Sequence, residues 1–202
     1  MKNQTLHLAA LQHYFKTGYT YIELGDGDEL WENRCMEQII EAHNDIFRLL
    51  SLYYCQKRLY MLYGNHDMVK KNTSYAVRHC NCSYPENLIS FSDISFQESI
   101  ILENNTSQSG RNIYLTHGHQ AELFNSVFWK LARFLVRYVW KPLEHFGVLD
   151  PTSTAKNYTR KQKTEQRLQH FAEEKGHIMI TGHTHRPVLL ETDSFYCNCG
   201  SC

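Results

Sequence analysis

Apolar residues recur along the chain with two different periods, and these periods predict helices and strands. A helical spacing runs through 6–16, 35–55 and 121–141, which predicts three helices. Short runs rich in β-branched and aromatic residues predict strands at 19–24, 58–63 and 178–181. Each of these strands is followed directly by a glycine, namely Gly25, Gly64 and Gly182. The succession of strand, helix and strand in the first third of the chain indicates an α/β fold.

The second half of the chain adds shorter elements. Extended runs predict antiparallel strands at 88–91, 99–102 and 112–116, and a closing hairpin from 188–191 and 195–198. A mostly charged helix is predicted at 158–175. Pro142 ends the helix 121–141, because proline disfavours the helical conformation in the residue before it.

Length and charge narrow the class of protein. The 202 residues include 21 Lys and Arg against 21 Asp and Glu, and 42% are hydrophobic, so we expect one folded domain over 1–202. A net charge of zero argues against a polycationic nucleic-acid binder. We expect a cytoplasmic protein, because the start of the chain does not resemble a signal peptide and no apolar run is long enough for a membrane span. The seven cysteines are expected to be reduced thiols, with a structural zinc site as the less favoured alternative.

Potential metal ligands lie just after four predicted strands. In α/β sheets, ligands gather beyond the carboxyl ends of strands, so these four loops can converge on one site. A glycine, an Asp or a His-x-His alone is weak evidence, but four such loops in one short chain are hard to explain by chance. The four segments are Gly25-Asp26-Gly27-Asp28-Glu29, Gly64-Asn65-His66-Asp67, His117-Gly118-His119 and Gly182-His183-Thr184-His185.

In this order, the four segments resemble the motifs of the calcineurin-like metallophosphoesterase superfamily. The resemblance, carried by the Asp26/Glu29, Asn65-His66-Asp67, His117 and His183/His185 blocks, implies an αββα sandwich that holds two divalent metal ions. It implies that Asp26 bridges both ions, that Asn65, His117 and His183 complete the shell of one, and that His185 binds the other. It further implies that His66 is the catalytic acid and Asp67 the residue that orients it. His119 is a possible neighbour of this site.

The chemistry of these side chains is consistent with that resemblance. Two cations ~3.5–4 Å apart lower the pKa of a bridging water and stabilise the attacking and leaving oxygens of a phosphate ester. Imidazole, carboxylate and amide oxygen together suit Mn²⁺ best, with Fe, Zn²⁺ or Ni²⁺ also possible. We therefore expect hydrolysis of a phosphate monoester, diester or pyrophosphate by a hydroxide bound to two metals, with His66 protonating the leaving oxygen.

One block of the family pattern is missing. The family carries an Asp-x-His upstream of the bridging Asp, whereas the only upstream histidines here, His7 and His13, follow Thr5 and Leu11 two positions earlier. We interpret this as truncation of the domain at both ends. The alternative is a non-catalytic metal-binding scaffold or an inactive fragment of such an enzyme.

A helical insert at about 120–176 is predicted to form a cap over the site. Four cations in it, Lys130, Arg133, Arg137 and Lys141, recur at spacings of three, four and four, which predicts a basic stripe on one helix face. The cap could grip a phosphorylated small-molecule or lipid-linked substrate, and the helix 130–141 could contact an acidic membrane surface. The bland alternative is a helix packed on the core with solvated lysines and arginines.

Overall fold

The computed structural model shows two main sheets with helices packed against them. It describes residues 3–31, 33, 35–80, 83–84, 87–89, 91, 93–105, 110–122, 126–140, 158–189 and 194–200. Among these residues, no helix combines the length and the apolarity needed to cross a bilayer.

The first sheet is parallel and contains the first two glycine-terminated strands. Strand β1 (Tyr21–Glu23) pairs with β2 (Leu59–Leu62). On its other side, β2 pairs with the later strand that we number β5 (Phe96–Gln97). Parallel pairing puts the carboxyl ends of β1 and β2 at the same edge of the sheet.

Three helices cover this sheet and form the main core with it. They are α1 (Gln4–Lys16), α2 (Met36–Ala42) and α3 (Asn44–Cys55). Ile40 and Tyr53 are fully buried, and the Tyr53 hydroxyl donates to the Leu11 carbonyl at 2.8 Å. This bond ties α3 to α1, which fixes the helical layer behind the sheet.

The second sheet has the strand order β6 (Ser99–Leu102), β7 (Ile113–Thr116), β8 (Ile178–Thr181) and β9 (Tyr196–Asn198). The first pair is antiparallel and the next two are parallel. A long helix at Tyr158–Lys175, numbered α6, packs Leu168 and Ala172 against Met179 and Tyr196. The carboxyl ends of β7 and β8 therefore lie together.

The remaining described elements are short. They are the hairpin β3 (Ser83–Tyr84) and β4 (Asn87–Leu88), the helix α4 (Thr73–His79), 3₁₀ turns at Met68–Lys71 and His119–Ala121, and the helix α5 (Trp129–Leu135) with one π turn at Val136–Trp140.

The α/β fold predicted from the sequence is confirmed, although several of its elements differ from the predicted ones. The predicted helix 35–55 is divided at His43, whose backbone leaves the helical region (φ −123°, ψ 34°) before α3 begins. The predicted helix 121–141 is interrupted before Trp129. Of the predicted closing hairpin, the described residues include one isolated antiparallel bridge, between Val188 and Asn198, and β9 itself pairs in parallel with β8.

Some of the sequence predictions remain untested. Residues 123–125, Lys141 and 190–193, which belong to the predicted cap helix and hairpin, lie outside the described residues. The limits of the single domain, 1–202, and of the insert at about 120–176 stay predictions.

Candidate metal centre

The four loops meet at one place, as the sequence predicted. His117 Nε2 lies 3.0 Å from Asp26 Oδ2 and 3.2 Å from Asn65 Oδ1. Asp26, His117 and His183 each offer one potential ligand atom, and these three atoms lie within 4.8 Å of one another. Within the part of the chain that the structure describes, this is the one group of three or more His, Cys, Asp or Glu side chains close enough to share an ion.

The imidazole of His117 is held with a defined nitrogen toward its neighbours. It is 2% exposed, and its Nδ1 donates to the Leu24 carbonyl oxygen at 2.8 Å. This bond leaves Nε2 directed at Asp26 and Asn65. Histidines that bind metals commonly donate their second ring nitrogen to a backbone carbonyl in this way, because the bond fixes both tautomer and ring orientation.

The donor set fits a divalent cation. Ligand atoms that lie ~2.0–2.2 Å from one ion are about 3–3.6 Å apart, which is the separation of His117 Nε2 from its two oxygen neighbours. His183 Nε2 is buried and has no hydrogen-bond partner among the described residues, although Glu122 Oε1 lies 3.5 Å away. A buried imidazole nitrogen without a partner is costly unless a ligand satisfies it.

Charge within the cluster favours an ionised Asp26. Burial opposes ionisation of its carboxyl group, but the charges of His117 and His66 and the hydrogen bond from His117 lower its pKa. For His117, burial opposes protonation, and the neighbouring Asp26 carboxylate outweighs burial and raises its pKa. Burial lowers the pKa of His183. The cluster therefore presents a carboxylate to imidazoles, as a cation site requires.

Backbone strain is concentrated in the loops of the cluster. Asp26, Glu29, His183 and His185 all have positive φ, between 47° and 66°. Non-glycine residues rarely adopt this conformation, which costs about 1–3 kcal/mol each and persists only where the surroundings enforce it. Four of the six non-glycine residues with positive φ among the described residues lie in these loops, and the other two, Lys57 and Asp93, lie elsewhere.

Two glycines allow the first two loops to touch. A Cβ at Gly25 would overlap the backbone nitrogen of Gly64, and a Cβ at Gly64 would overlap Asp26 Oδ1. In this close approach, the His66 backbone N–H donates to Asp26 Oδ1 at 2.8 Å. The glycine that ends each strand thus sets the position of the central carboxylate.

His66 is held by residues of the first loop. Its Nδ1 lies 2.5 Å from Glu29 Oε1, and its ring stacks on Trp31 with centroids 4.3 Å apart and planes 7° from parallel. Burial opposes protonation of His66, but the Asp26 charge and the hydrogen bond and charge of Glu29 raise its pKa to about 9. The hydrogen bond to Glu29 and the stacking on Trp31 together fix the plane of the His66 ring.

Asp67 does not contact the His66 ring in the way that the sequence analysis expected. Its Oδ1 accepts the Gly64 N–H, and its Oδ2 accepts from Lys70 Nζ at 2.9 Å. Lys70 is 1% exposed and also pairs with Asp28. Asp67 is directed away from the imidazole because its carboxylate pairs with this buried lysine. The contact with His66 Nδ1 is made by Glu29 instead.

The fourth loop is anchored by helix α6 and strand β9. Asn198 Nδ2 donates to the Gly182 carbonyl and, at 3.2 Å, to Thr184 Oγ1. Thr184 Oγ1 donates to Glu165 Oε1 at 2.8 Å, and Arg186 forms an ion pair with the same carboxylate at 2.8 Å. These polar contacts hold the loop that carries His183.

The structure thus brings together Asp26, Asn65, His117 and His183 and places His66 beside them. His185 is exposed and lies outside the three-residue cluster. His119, a possible neighbour in the sequence analysis, is 1% exposed with its ring centroid 5.4 Å from that of His117. Burial and the nearby His117 and His183 lower its pKa to about 2.

The sequence did not predict four contacts of the site: Glu29 with His66, Trp31 with the His66 ring, Lys70 with Asp67, and Asn198 with the Gly182 carbonyl. Glu29 and Trp31 follow Asp26 within the same loop, so their position was a signal of proximity, although not of contact with a ring 37 residues away. Lys70 and Asn198 gave no such signal.

Of the comparisons with known proteins, the one with family models gave a match. A search of curated proteins and a search of solved structures each found no match. The family model for calcineurin-like phosphoesterases matches residues 8–187, which include every residue of the cluster. Members of this family hydrolyse phosphoester bonds with the help of metal ions. On this match, which spans most of its length, the chain belongs to the calcineurin-like phosphoesterase family.

Proposed function

We propose that this chain hydrolyses a phosphate monoester, diester or pyrophosphate, with His66 as the general acid. The observation that carries the proposal is the convergence of Asp26, His117 and His183 within 4.8 Å, beside an imidazole that is held by a carboxylate and an aromatic ring. Ligands for a cation and a proton donor are the two parts that this hydrolysis needs.

The proposed ligands of the first metal ion are Asp26, Asn65, His117 and His183. His185 is the proposed ligand of a second ion. When bound, divalent cations at this site supply Lewis acidity that activates water and offsets charge on the phosphate oxygens. The mixture of imidazole, carboxylate and amide oxygen favours Mn²⁺ over Fe, Zn²⁺ or Ni²⁺. Asn65 Oδ1 and His117 Nε2 already lie side by side, so they are oriented before an ion arrives.

His66 is suited to give a proton to the leaving oxygen. Its Nδ1–H donates to Glu29 Oε1, so Nε2 is the nitrogen that remains to transfer a proton. The stacking on Trp31 limits rotation of the ring. We assign Glu29 to the orienting role that the sequence analysis gave to Asp67, because Glu29 makes the contact.

We propose a phosphorylated small molecule or a lipid-linked phosphate as the substrate and the cytoplasm as the compartment. The support for this substrate class is that α5 and the turn after it, which carry both cations and apolar residues, contact the loop that holds Glu29. A phosphorylated, partly apolar compound matches both properties.

The test is hydrolysis of p-nitrophenyl phosphate and of its bis-ester with added Mn²⁺. We expect activity that depends on Mn²⁺, and we expect His66→Gln to lower kcat by about 10²–10⁴ with little change in Mn²⁺ affinity. His79→Gln is a matched control, because His79 also contacts a glutamate, Glu37, at 3.0 Å but lies outside the cluster. Activity that is the same in wild type and His66→Gln would refute the proposed mechanism.

A non-catalytic metal-binding scaffold is the alternative function. The exposure of His185 and its absence from the three-residue cluster favour it, because hydrolysis with two ions needs ligands for both. Isothermal titration with Mn²⁺, combined with the hydrolysis assay, separates the two functions. A scaffold binds the ion but hydrolyses neither ester.

A further inference from the structure

The helix α5 and the turn after it have a buried side that is fixed to the candidate site. Ala132 and Val136 pack with Trp140 against Trp31. Arg137 donates from its guanidinium to the carbonyl oxygens of Trp31 at 3.0 Å and Leu30 at 2.9 Å. Arg137 is therefore a structural contact of the loop that contains Glu29, and it does not belong to a solvated basic stripe as the sequence suggested.

The opposite side of the same segment is also apolar, but it faces outward. Leu131 and Phe134 lie on α5, and the Phe134 ring centroid is 5.1 Å from that of Tyr138 in the turn after the helix. Val127 and Phe128 come just before α5. The exposed fractions are 66% for Val127, 55% for Phe128, 50% for Leu131, 54% for Phe134 and 54% for Tyr138. A surface helix normally exposes polar residues on this face, and a contiguous apolar patch marks an interaction site. We call these five residues the outer apolar face.

Positive charge accompanies the outer apolar face. The stretch 123–143 contains four Lys or Arg and no Asp or Glu, in a chain whose net charge is zero. Lys130 is exposed, and Lys130 Nζ and the Arg133 guanidinium lie 5.8 Å and 5.1 Å from the ring centroid of Trp129. Cations and aromatic rings beside exposed apolar side chains form the pattern of a helix that lies in the interface of an anionic bilayer.

We propose that the outer apolar face docks on an anionic phospholipid surface. The apolar side chains would enter the boundary between headgroups and acyl chains, and Lys130 and Arg133 would lie against the lipid phosphates. A second copy of the chain or another protein could bind the apolar face through apolar contacts alone. Such a partner would not explain why the same stretch carries cations and no acidic residue. Since Arg137 connects this segment to the loop of Glu29 and Trp31, docking would hold the candidate site close to the lipid surface.

The test is flotation of the full chain with phosphatidylcholine vesicles that contain or lack phosphatidylglycerol. We expect wild type to float with the anionic vesicles and to remain unbound with the neutral ones. Leu131→Glu and Phe134→Glu should each lower partitioning by about tenfold or more, because a carboxylate replaces an inserted apolar group. Lys130→Gln should weaken binding by about fivefold at low salt and much less at high salt.

A matched control separates the outer apolar face from general surface hydrophobicity. Leu52 lies on α3 with 51% exposure, nearly that of Leu131, so Leu52→Glu should partition like wild type. Thermal unfolding shows that each variant is folded, and Phe134→Gln serves if Phe134→Glu is not. Absence of vesicle binding by wild type, or equal loss in Leu52→Glu, would overturn the proposal. A dimer in analytical ultracentrifugation that Phe134→Glu dissociates, with no vesicle binding, would assign the face to a second copy instead.

Discussion

At the scale of single residues, the contact between Glu29 and His66 is the feature that the proposed chemistry depends on most. The two side chains are partly exposed and lie 2.5 Å apart, and Trp31 supports the ring from one side. We expect Glu29→Gln to lower kcat about 10–100-fold with unchanged Mn²⁺ affinity, because the ring loses its orienting carboxylate. The measurement is steady-state hydrolysis of p-nitrophenyl phosphate together with calorimetric titration of Mn²⁺.

Glu37→Gln is the control for that variant, since Glu37 contacts His79 in a similar exposed pair away from the cluster. Glu37→Gln should retain wild-type kcat. A Glu29→Gln enzyme with unchanged kcat would show that the ring does not need this carboxylate.

Lys70 is the second residue whose role is specific. Its ammonium group is buried with the carboxylates of Asp67, which is fully buried, and Asp28, which is 6% exposed. Lys70→Met would leave both carboxylates without a counter-charge, and we expect the free energy of unfolding to fall by about 3–5 kcal/mol. Urea denaturation measures this loss, and Lys71→Met, a change at the exposed neighbouring position, should cost far less. A loss of similar size in the two variants would contradict the assignment.

Glu23 predicts a dependence of stability on pH. Burial and the nearby Asp28 raise its pKa from 4.5 to about 7, so the folded state holds a proton that the unfolded state releases at lower pH. Its contribution to stability is complete below the unfolded pKa and is lost as pH rises through about 7. We expect Glu23→Gln to match wild type near pH 5 and to be more stable near pH 8. Thermal unfolding at both pH values tests this, with the exposed Glu41→Gln as control; a constant difference would contradict it.

At the scale of elements, the position of the site follows from where the strands end. Helices 4–16 and 158–175 and strands 59–62 and 178–181 were predictable, because each has a clear period or a glycine boundary. Strand β5 was not predicted, because its pairing with β2 joins residues about 35 positions apart and leaves no local pattern. The ligands could be predicted because they directly follow strands with a clear local pattern. The contacts of Glu29 and Asn198 could not, because they join residues far apart in the sequence.

The close approach of the first two loops gives a prediction at this scale. A Cβ at Gly64 would overlap the carboxylate of Asp26, so Gly64→Ala should displace that ligand and weaken Mn²⁺ binding about tenfold or more. Gly182 also follows a strand and precedes a ligand, but a Cβ there meets nothing closer than 3.9 Å. Gly182→Ala should therefore bind Mn²⁺ nearly as wild type does, and calorimetric titration compares the two. Equal affinities would contradict the account.

At the scale of the whole molecule, two sheets bring four loops together from positions between Asp26 and His183, and the family match covers the same span. The family and its metal-dependent phosphoester hydrolysis follow from that match, whereas the number of ions, the substrate and the lipid-facing role of α5 are our proposals. The outer apolar face and the metal cluster belong to different parts of the chain, so each can be tested without the other.

The proposed function depends above all on a divalent cation held by Asp26, His117 and His183. The most direct measurement is anomalous X-ray diffraction from crystals grown with Mn²⁺. We expect an anomalous peak within ~2.0–2.2 Å of a carboxylate oxygen of Asp26, of His117 Nε2 and of a ring nitrogen of His183. The peak should disappear in His117→Ala. A crystal in which this cluster stays without an anomalous peak, or in which Mn²⁺ binds elsewhere on the chain, would contradict it.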